Sequence, residues 1–282
     1  MKLNNGYIIP DLGLGTFLSS PDECYNACLY ALKLGYRHID TAQNYKNEEA
    51  VGKAIKDSGV KREDIFITSK LQISRYGKNN TKMAVLKSLK DLGVDYIDLY
   101  LMHWPSRNYD FNLETYKALE EMKDMGYIRS IGVSNFQIHH LEHLLPFVKY
   151  KPVTYQVELH PGLSQVGLVE YCKKNDIVVT SYGPFMKGEA LNIDYINNLA
   201  LKYNKTPAQI CIRYLIDRGI VAIPKSVHNE RIKENFNVFN FSLTSDEVIK
   251  IIDLNQGKRV YLDPDNRPGI LTSELSYFNN DF

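Results

Sequence analysis

Eight short apolar runs, spaced along the chain and separated by longer stretches of helical pattern, limit what this sequence can fold into. The candidate strands are 12–17, 38–40, 65–70, 97–103, 128–135, 153–158, 177–182 and 220–226. Between them lie segments such as PDECYNACLYALKLG and NTKMAVLKSLKDLG, whose apolar residues recur at three- and four-residue steps and whose terminal Gly suits a helix C-cap. Strand-helix units repeated without a break in composition predict a parallel sheet closed into a (β/α)8 barrel, an α/β TIM barrel. A doubly wound open sheet is the rival, but the opening GLGTFL lacks the third glycine of a GxGxxG dinucleotide turn.

With 44% hydrophobic and 24% charged residues, the chain can bury a sizeable core. We expect one barrel domain over residues 1–282, with an N-terminal hairpin turning at Asn4 to Gly6 and extra helices in the C-terminal part. Residues 258–282, weakly periodic, are expected to pack over one barrel face. The net charge of +1 gives no reason to expect nucleic acid or an anionic membrane as partner. No apolar run approaches the roughly 18 residues of a membrane span, and the N-terminus lacks the apolar core of a secretory signal. The expectation is a cytoplasmic monomer. The four cysteines show no zinc-finger or CxxC spacing, and Cys24 and Cys28, one helical turn apart, read as small buried thiols.

In a barrel of this kind the chemistry sits at the C-terminal ends of the strands. There the sequence places Asp40 with Tyr45 shortly after, Lys70, His103 with Trp104, Ser134 with Asn135, Gln156 with Glu158, Tyr182, and Lys225 with Ser226. Each residue alone could be a cap, a paired charge or a core histidine. Four of them converging on one rim make a proton-transfer device, because buried charge is costly unless paired or used. A tyrosine with a pKa near about 10 is protonated at neutral pH and can protonate a carbonyl oxygen. A lysine ammonium roughly 4 Å away favours the phenolate by about 4 kcal/mol at an effective dielectric of about 20, before desolvation opposes it. Asp40 would hold Lys70 charged, and His103 could hydrogen-bond the substrate.

The segments HIDTAQNYKNEEAVGKAI, IFITSKL, DYIDLYLMHWP, IRSIGVSNF, YQVELHP and IPKSVHNERIKEN together resemble the aldo-keto reductase superfamily. The short connections resemble bacterial 2,5-diketogluconate and glyoxal reductases and protozoan prostaglandin F synthases. The resemblance implies a catalytic tetrad of Asp40, Tyr45, Lys70 and His103, and a small carbonyl substrate against Phe17 and Trp104. It implies NADPH bound without a Rossmann fold: Ser134, Asn135 and Gln156 at the carboxamide and Tyr182 stacked on the nicotinamide. Lys225, Ser226 and Arg231 would take the 2′-phosphate, and Glu234 and Asn235 the adenine. Two cations and a hydroxyl beside a helix start agree physically with a phosphate site.

Two positions depart from the pattern. Gly183 replaces a common serine, removing a side-chain contact to the cofactor diphosphate, and Gln72 replaces a common tryptophan. His139 and His143 have a zinc-compatible i, i+4 spacing without a nearby third ligand in sequence, so they read as a solvated face and no metal is expected. His160 reads as rim support. Rival functions are a Schiff-base enzyme using Lys70 and a non-catalytic cofactor sensor. The chain holds no Tyr-x-x-x-Lys, which disfavours a short-chain dehydrogenase.

Overall fold

The third apolar run shows why the sheet is covered on both faces. The structure, a computed structural model, describes residues 1–266. All six residues of β3 (Phe66–Leu71) are buried, and successive side chains of a strand leave it on opposite faces. Ile67 and Leu71 join the main apolar cluster, shared with the helices. Phe66 joins a smaller cluster with Leu99, Leu101, Val153, Val221 and Ile223. Lys70 shares the parity of Phe66, so its ammonium enters the barrel.

The other strands are β1 (Leu14–Gly15), β2 (His38–Asp40), β4 (Leu99–Met102), β5 (Ile131–Ser134), β6 (Thr154–Glu158), β7 (Val178–Tyr182) and β8 (Val221–Ala222). They pair in parallel in chain order. Parallel bridges from Leu12 to Ala222 and from Gly15 to Lys225 join the last strand to the first. Hydrogen bonds from Gly13 N to Ala222 O and from Ala222 N to Asp11 O, both 2.9 Å, complete the seam. This is the expected (β/α)8 barrel; an open sheet would keep two unpaired edges.

Several strands are shorter than their apolar runs, because residues beyond the paired ladder stay buried under loops and helices. The N-terminal hairpin is reduced to one antiparallel bridge, Lys2 to Ile8, and its Leu3 and Ile9 extend the inner cluster.

Helices α1 (Pro21–Leu34), α2 (Glu48–Ser58), α3 (Lys78–Leu92), α4 (Tyr109–Asp124), α5 (Ile138–Leu144) and α6 (Val166–Lys174) each follow a strand. Two helices, α7 (Asp194–Tyr203) and α8 (Pro207–Asp217), lie between β7 and β8, and α9 (Asn229–Phe236) and α10 (Ser245–Ile252) follow β8. These supply the helices in excess of eight units. Reciprocal caps start α1 at Ser20 and Glu23, α8 at Thr206 and Gln209, and α10 at Thr244 and Glu247. No helix among the described residues is long and apolar enough to cross a membrane. Of the expected C-terminal tail, residues 267–282 lie outside the described residues.

Helix α2 follows directly on the Tyr45 turn and packs tightly on α3. A Cβ at Gly52 would lie 2.2 Å from the Leu92 carbonyl oxygen, a backbone atom that cannot rotate away. Gly52→Ala should therefore destabilise the protein by about 2 kcal/mol despite its better helix propensity. Denaturant unfolding checks this, with Lys56→Ala on the exposed face of α2 staying within about 0.5 kcal/mol of wild type.

Candidate active site

Asp40 and Lys70 meet inside the barrel because both stand on inward-facing positions near the ends of adjacent strands. Their side chains form an ion pair, 4% and 0% exposed. The Lys70 ammonium also donates to Thr41 O at 2.8 Å and to the Tyr45 hydroxyl at 3.4 Å. The second Asp40 oxygen, Oδ2, accepts from Gln156 Nε2 at 2.7 Å. Burial pulls Lys70 below the ordinary lysine range and pushes Asp40 up, while their attraction opposes both shifts. All three ammonium hydrogens have acceptors, which fixes the proton on the lysine.

Tyr45 ends a short 3₁₀ turn, Gln43–Tyr45, and Lys46 after it takes a left-handed backbone. The turn is held from below by Asn47, whose side chain is buried rather than capping α2. Asn47 Nδ2 donates to Thr16 O (3.0 Å) and Ser19 O (3.2 Å), and its Oδ1 accepts from Thr41 Oγ1 (2.9 Å). One amide thus ties the loop after β1 to the loop after β2. Phe17 from the first loop packs on Tyr45 with ring centroids 5.1 Å apart, and His103 meets Tyr45 edge to face at 5.7 Å. The acidifying effect expected from Lys70 is outweighed: burial first, and the Asp40 carboxylate next, hold the Tyr45 phenol well above the ordinary range. It is protonated at neutral pH.

His103 follows β4, and its carbonyl accepts from Asn135 Nδ2 at 2.9 Å. Asn135 also donates to Ser134 Oγ (3.1 Å) and accepts from the Tyr182 hydroxyl (2.7 Å) through Oδ1. Its φ of 62° is a left-handed conformation, tolerated by asparagine and fixed here by these bonds. The Trp104 carbonyl accepts from Tyr76 OH at 2.5 Å, which fixes the start of the β4 loop beside the site. The structure therefore brings Asp40, Tyr45, Lys70, His103, Gln156, Asn135, Ser134, Tyr182 and Phe17 into one connected constellation.

The remaining expected residues lie after β8. Ser226 is buried and accepts from His228 N at 3.2 Å, while Lys225 and Arg231 are exposed beside the start of α9. Glu234 accepts from Thr206 Oγ1 at 2.7 Å, and Asn235 is buried. The donor set fits a nicotinamide dinucleotide phosphate. Primary amides and a hydroxyl match a carboxamide, the Tyr182 ring offers a flat face, and exposed cations at a helix start suit a phosphate monoester.

Sequence reading missed Asn47 and Glu48, and it placed Glu158 at a strand end without its partners. Asn47 stands just before α2, where a cap is expected, and no local signal marks its role as a tie between loops. Glu48, next to it, is buried behind Lys70, where it accepts from Ser69 Oγ at 2.5 Å. Glu158 at the end of β6 is fully buried, lies 3.0 Å from His160 Nε2 and accepts from Val260 N at 2.7 Å, which gives His160 its supporting role.

The histidines of α5 differ from expectation: Asp265, far away in sequence, comes to 3.5 Å from His139 Nε2 and makes His139, His140 and Asp265 a possible ligand group. However, His140 Nδ1 accepts from Gln137 N at 2.9 Å, which leaves the proton on Nε2. Its outer nitrogen is then an N–H, the wrong form for a metal ligand. Burial keeps this ring neutral by lowering its pKa to about 4.

Comparison with known proteins agrees with this geometry. The model of the Aldo/keto reductase family matches residues 11–256. The chain is 47% identical to methylglyoxal reductase DkgA of Escherichia coli (strain K12), over 95% of this chain and 98% of that protein. It is 46% identical to glyoxal reductase of Bacillus subtilis (strain 168), over 94% and 96%. The solved structure of a Bombyx mori aldo-keto reductase in complex with NADP superposes with a TM-score of 0.90 at 37% identity, covering 95% and 96% of the two chains. With a closed barrel, a rim of converging polar groups and near-full-length matches of this kind, the chain belongs to the aldo/keto reductase family.

Proposed function

We propose that this protein is an NADPH-dependent reductase of small aldehydes and α-dicarbonyls, with Tyr45 as the acid that protonates the carbonyl oxygen. One observation carries the reading: the Lys70 ammonium is shared among the Asp40 carboxylate, the Thr41 carbonyl and the Tyr45 hydroxyl in a buried site. Because Lys70 donates to the phenol oxygen, the phenol's own hydrogen is left to point at a substrate. When the phenol releases that proton, the ammonium is already in place to stabilise the phenolate. The dinucleotide, when bound, supplies hydride to the carbonyl carbon.

The other residues position these groups. Asp40 keeps Lys70 charged against its burial, and Gln156 holds the second Asp40 oxygen. His103, edge-on to Tyr45, would hydrogen-bond the same carbonyl oxygen and so select its orientation. Phe17 and Trp104 would line the substrate side and Tyr182 the nicotinamide side. The names of the E. coli and B. subtilis relatives support dicarbonyl substrates, and the NADP complex of the Bombyx mori protein supports the cofactor. The Schiff-base alternative is opposed by the same ammonium. A nucleophilic lysine needs a free lone pair, and Lys70 is held in its protonated form by three acceptors.

Tyr45→Phe should lower turnover of methylglyoxal or phenylglyoxal by at least about a hundredfold, followed as loss of NADPH absorbance, with NADPH affinity retained. Equal rates in the two proteins would remove the phenol from the mechanism. At the other end of the site, Lys225→Ala and Arg231→Ala should each weaken NADPH binding about tenfold while leaving NADH binding unchanged, since each removes a charge-assisted contact to a phosphate that only NADPH carries. Calorimetric titration with both dinucleotides reads this directly. An equal loss for both would move the 2′-phosphate away from the start of α9.

A further inference from the structure

Gly183, which lacks the common serine side chain, is not open space. It follows β7 with a φ of +64°, and a Cβ built there would lie 2.5 Å from Tyr261 Cε2 and 3.3 Å from Tyr261 Cζ. The ring of a tyrosine nearly eighty residues later in the chain fills the volume next to the strand end. A side chain at 183 and the ring at 261 exclude one another.

Tyr261 is embedded in the β7 rim. Its ring meets Tyr182 edge to face at 5.3 Å, and the Lys187 ammonium lies 5.0 Å from its centroid. The segment that carries it is tied to the barrel. Gln256 N and Lys258 N both donate to Gly162 O at 3.1 Å, and Lys258 pairs with Glu189. Val260 N donates to Glu158 Oε1 at 2.7 Å, and the Arg259 guanidinium lies 3.8 Å from Glu158 Oε2. Glu158 is fully buried, so the Val260 amide and the Arg259 guanidinium compensate a carboxylate that cannot reach water. The ring is held where it is by the rest of the strap.

We propose that Tyr261 is a cofactor-retaining residue: carried by the 256–261 strap, it closes over the dinucleotide at Gly183 and replaces, with an aromatic wall, the contact that residue 183 lacks. This rests on the NADPH reading of the site given above. The ring lies edge to face beside Tyr182, the residue assigned to the nicotinamide, and against Gly183, assigned to the diphosphate, and a wall there opposes release. The anchors on Glu158 and Gly162 pre-organise it, so little is lost in ordering it on binding.

The test is NADPH titration of the purified full chain by quenching of intrinsic fluorescence, with release rates from stopped-flow displacement, independent of turnover. Tyr261→Ala should weaken NADPH binding about tenfold, mainly through faster release, and Tyr261→Phe should stay within about threefold of wild type because the ring forms the wall. Gly183→Ala, whose methyl displaces the ring, should weaken binding in wild type and add little in the Tyr261→Ala background. Leu262→Ala, an exposed neighbour on the same segment, serves as the control, and melting temperatures verify that each variant is folded. Unchanged or tighter NADPH binding by folded Tyr261→Ala overturns the proposal, as does full additivity of the Gly183 and Tyr261 changes. Failure of the wild type to bind NADPH overturns both this proposal and the reading beneath it, whereas wild-type binding matched by the variant overturns this proposal alone.

Discussion

A lysine with no solvent exposure, paired to a carboxylate at the end of the neighbouring strand, is the interaction on which the site depends. Burying two charges costs several kcal/mol each before their attraction and hydrogen bonds offset it, and removing one partner of such a pair costs about 3–5 kcal/mol. A protein that keeps one inside its barrel must satisfy each oxygen and each hydrogen. Here Thr41 O, the Tyr45 hydroxyl and the Gln156 amide do so. Under the proposed function, the stabilising arrangement and the reactive arrangement are the same set of bonds, because the group that satisfies one of the lysine's hydrogens is the Tyr45 phenol.

The rest of the rim follows the same logic. Polar side chains at the strand ends satisfy one another in a chain that runs from Tyr182 to Asn135 and on to the carbonyl of His103. Asn47 fastens the loops that carry Phe17 and Tyr45. On the far side of the rim, Glu158 and His160 anchor the segment that carries Tyr261. Groups fixed in this way need little reorganisation when charge develops on a substrate oxygen, which is where an enzyme of this class gains most.

Much of this was legible in the sequence, for a physical reason that differs by level. Strand parity is local: once Phe66 to Leu71 is a strand, Lys70 and Phe66 share a face, and Asp40 ends the strand beside it. The barrel followed from the alternation of runs, because parallel strands need crossovers and eight of them close a sheet. The segment motifs pointed to Tyr45, His103 and the residues after β8, and the first two stand beside the buried pair. The direction of the Tyr45 shift was not legible, since it depends on how far desolvation and Asp40 outweigh Lys70 once the loops have closed.

The sequence by itself determined the barrel, the strand on which each chemical group stands, and the family. Only the tertiary structure decided which groups touch across long separations: Gln156 with Asp40 across 116 residues, Glu158 with Val260 across 102, Asp265 with His139, and Tyr261 with Gly183. Periodicity and strand-end chemistry act over a few residues and are written in local pattern. A contact between distant segments is set by how the sheet closes and how the loops pack, and neither partner's own neighbourhood carries any mark of it.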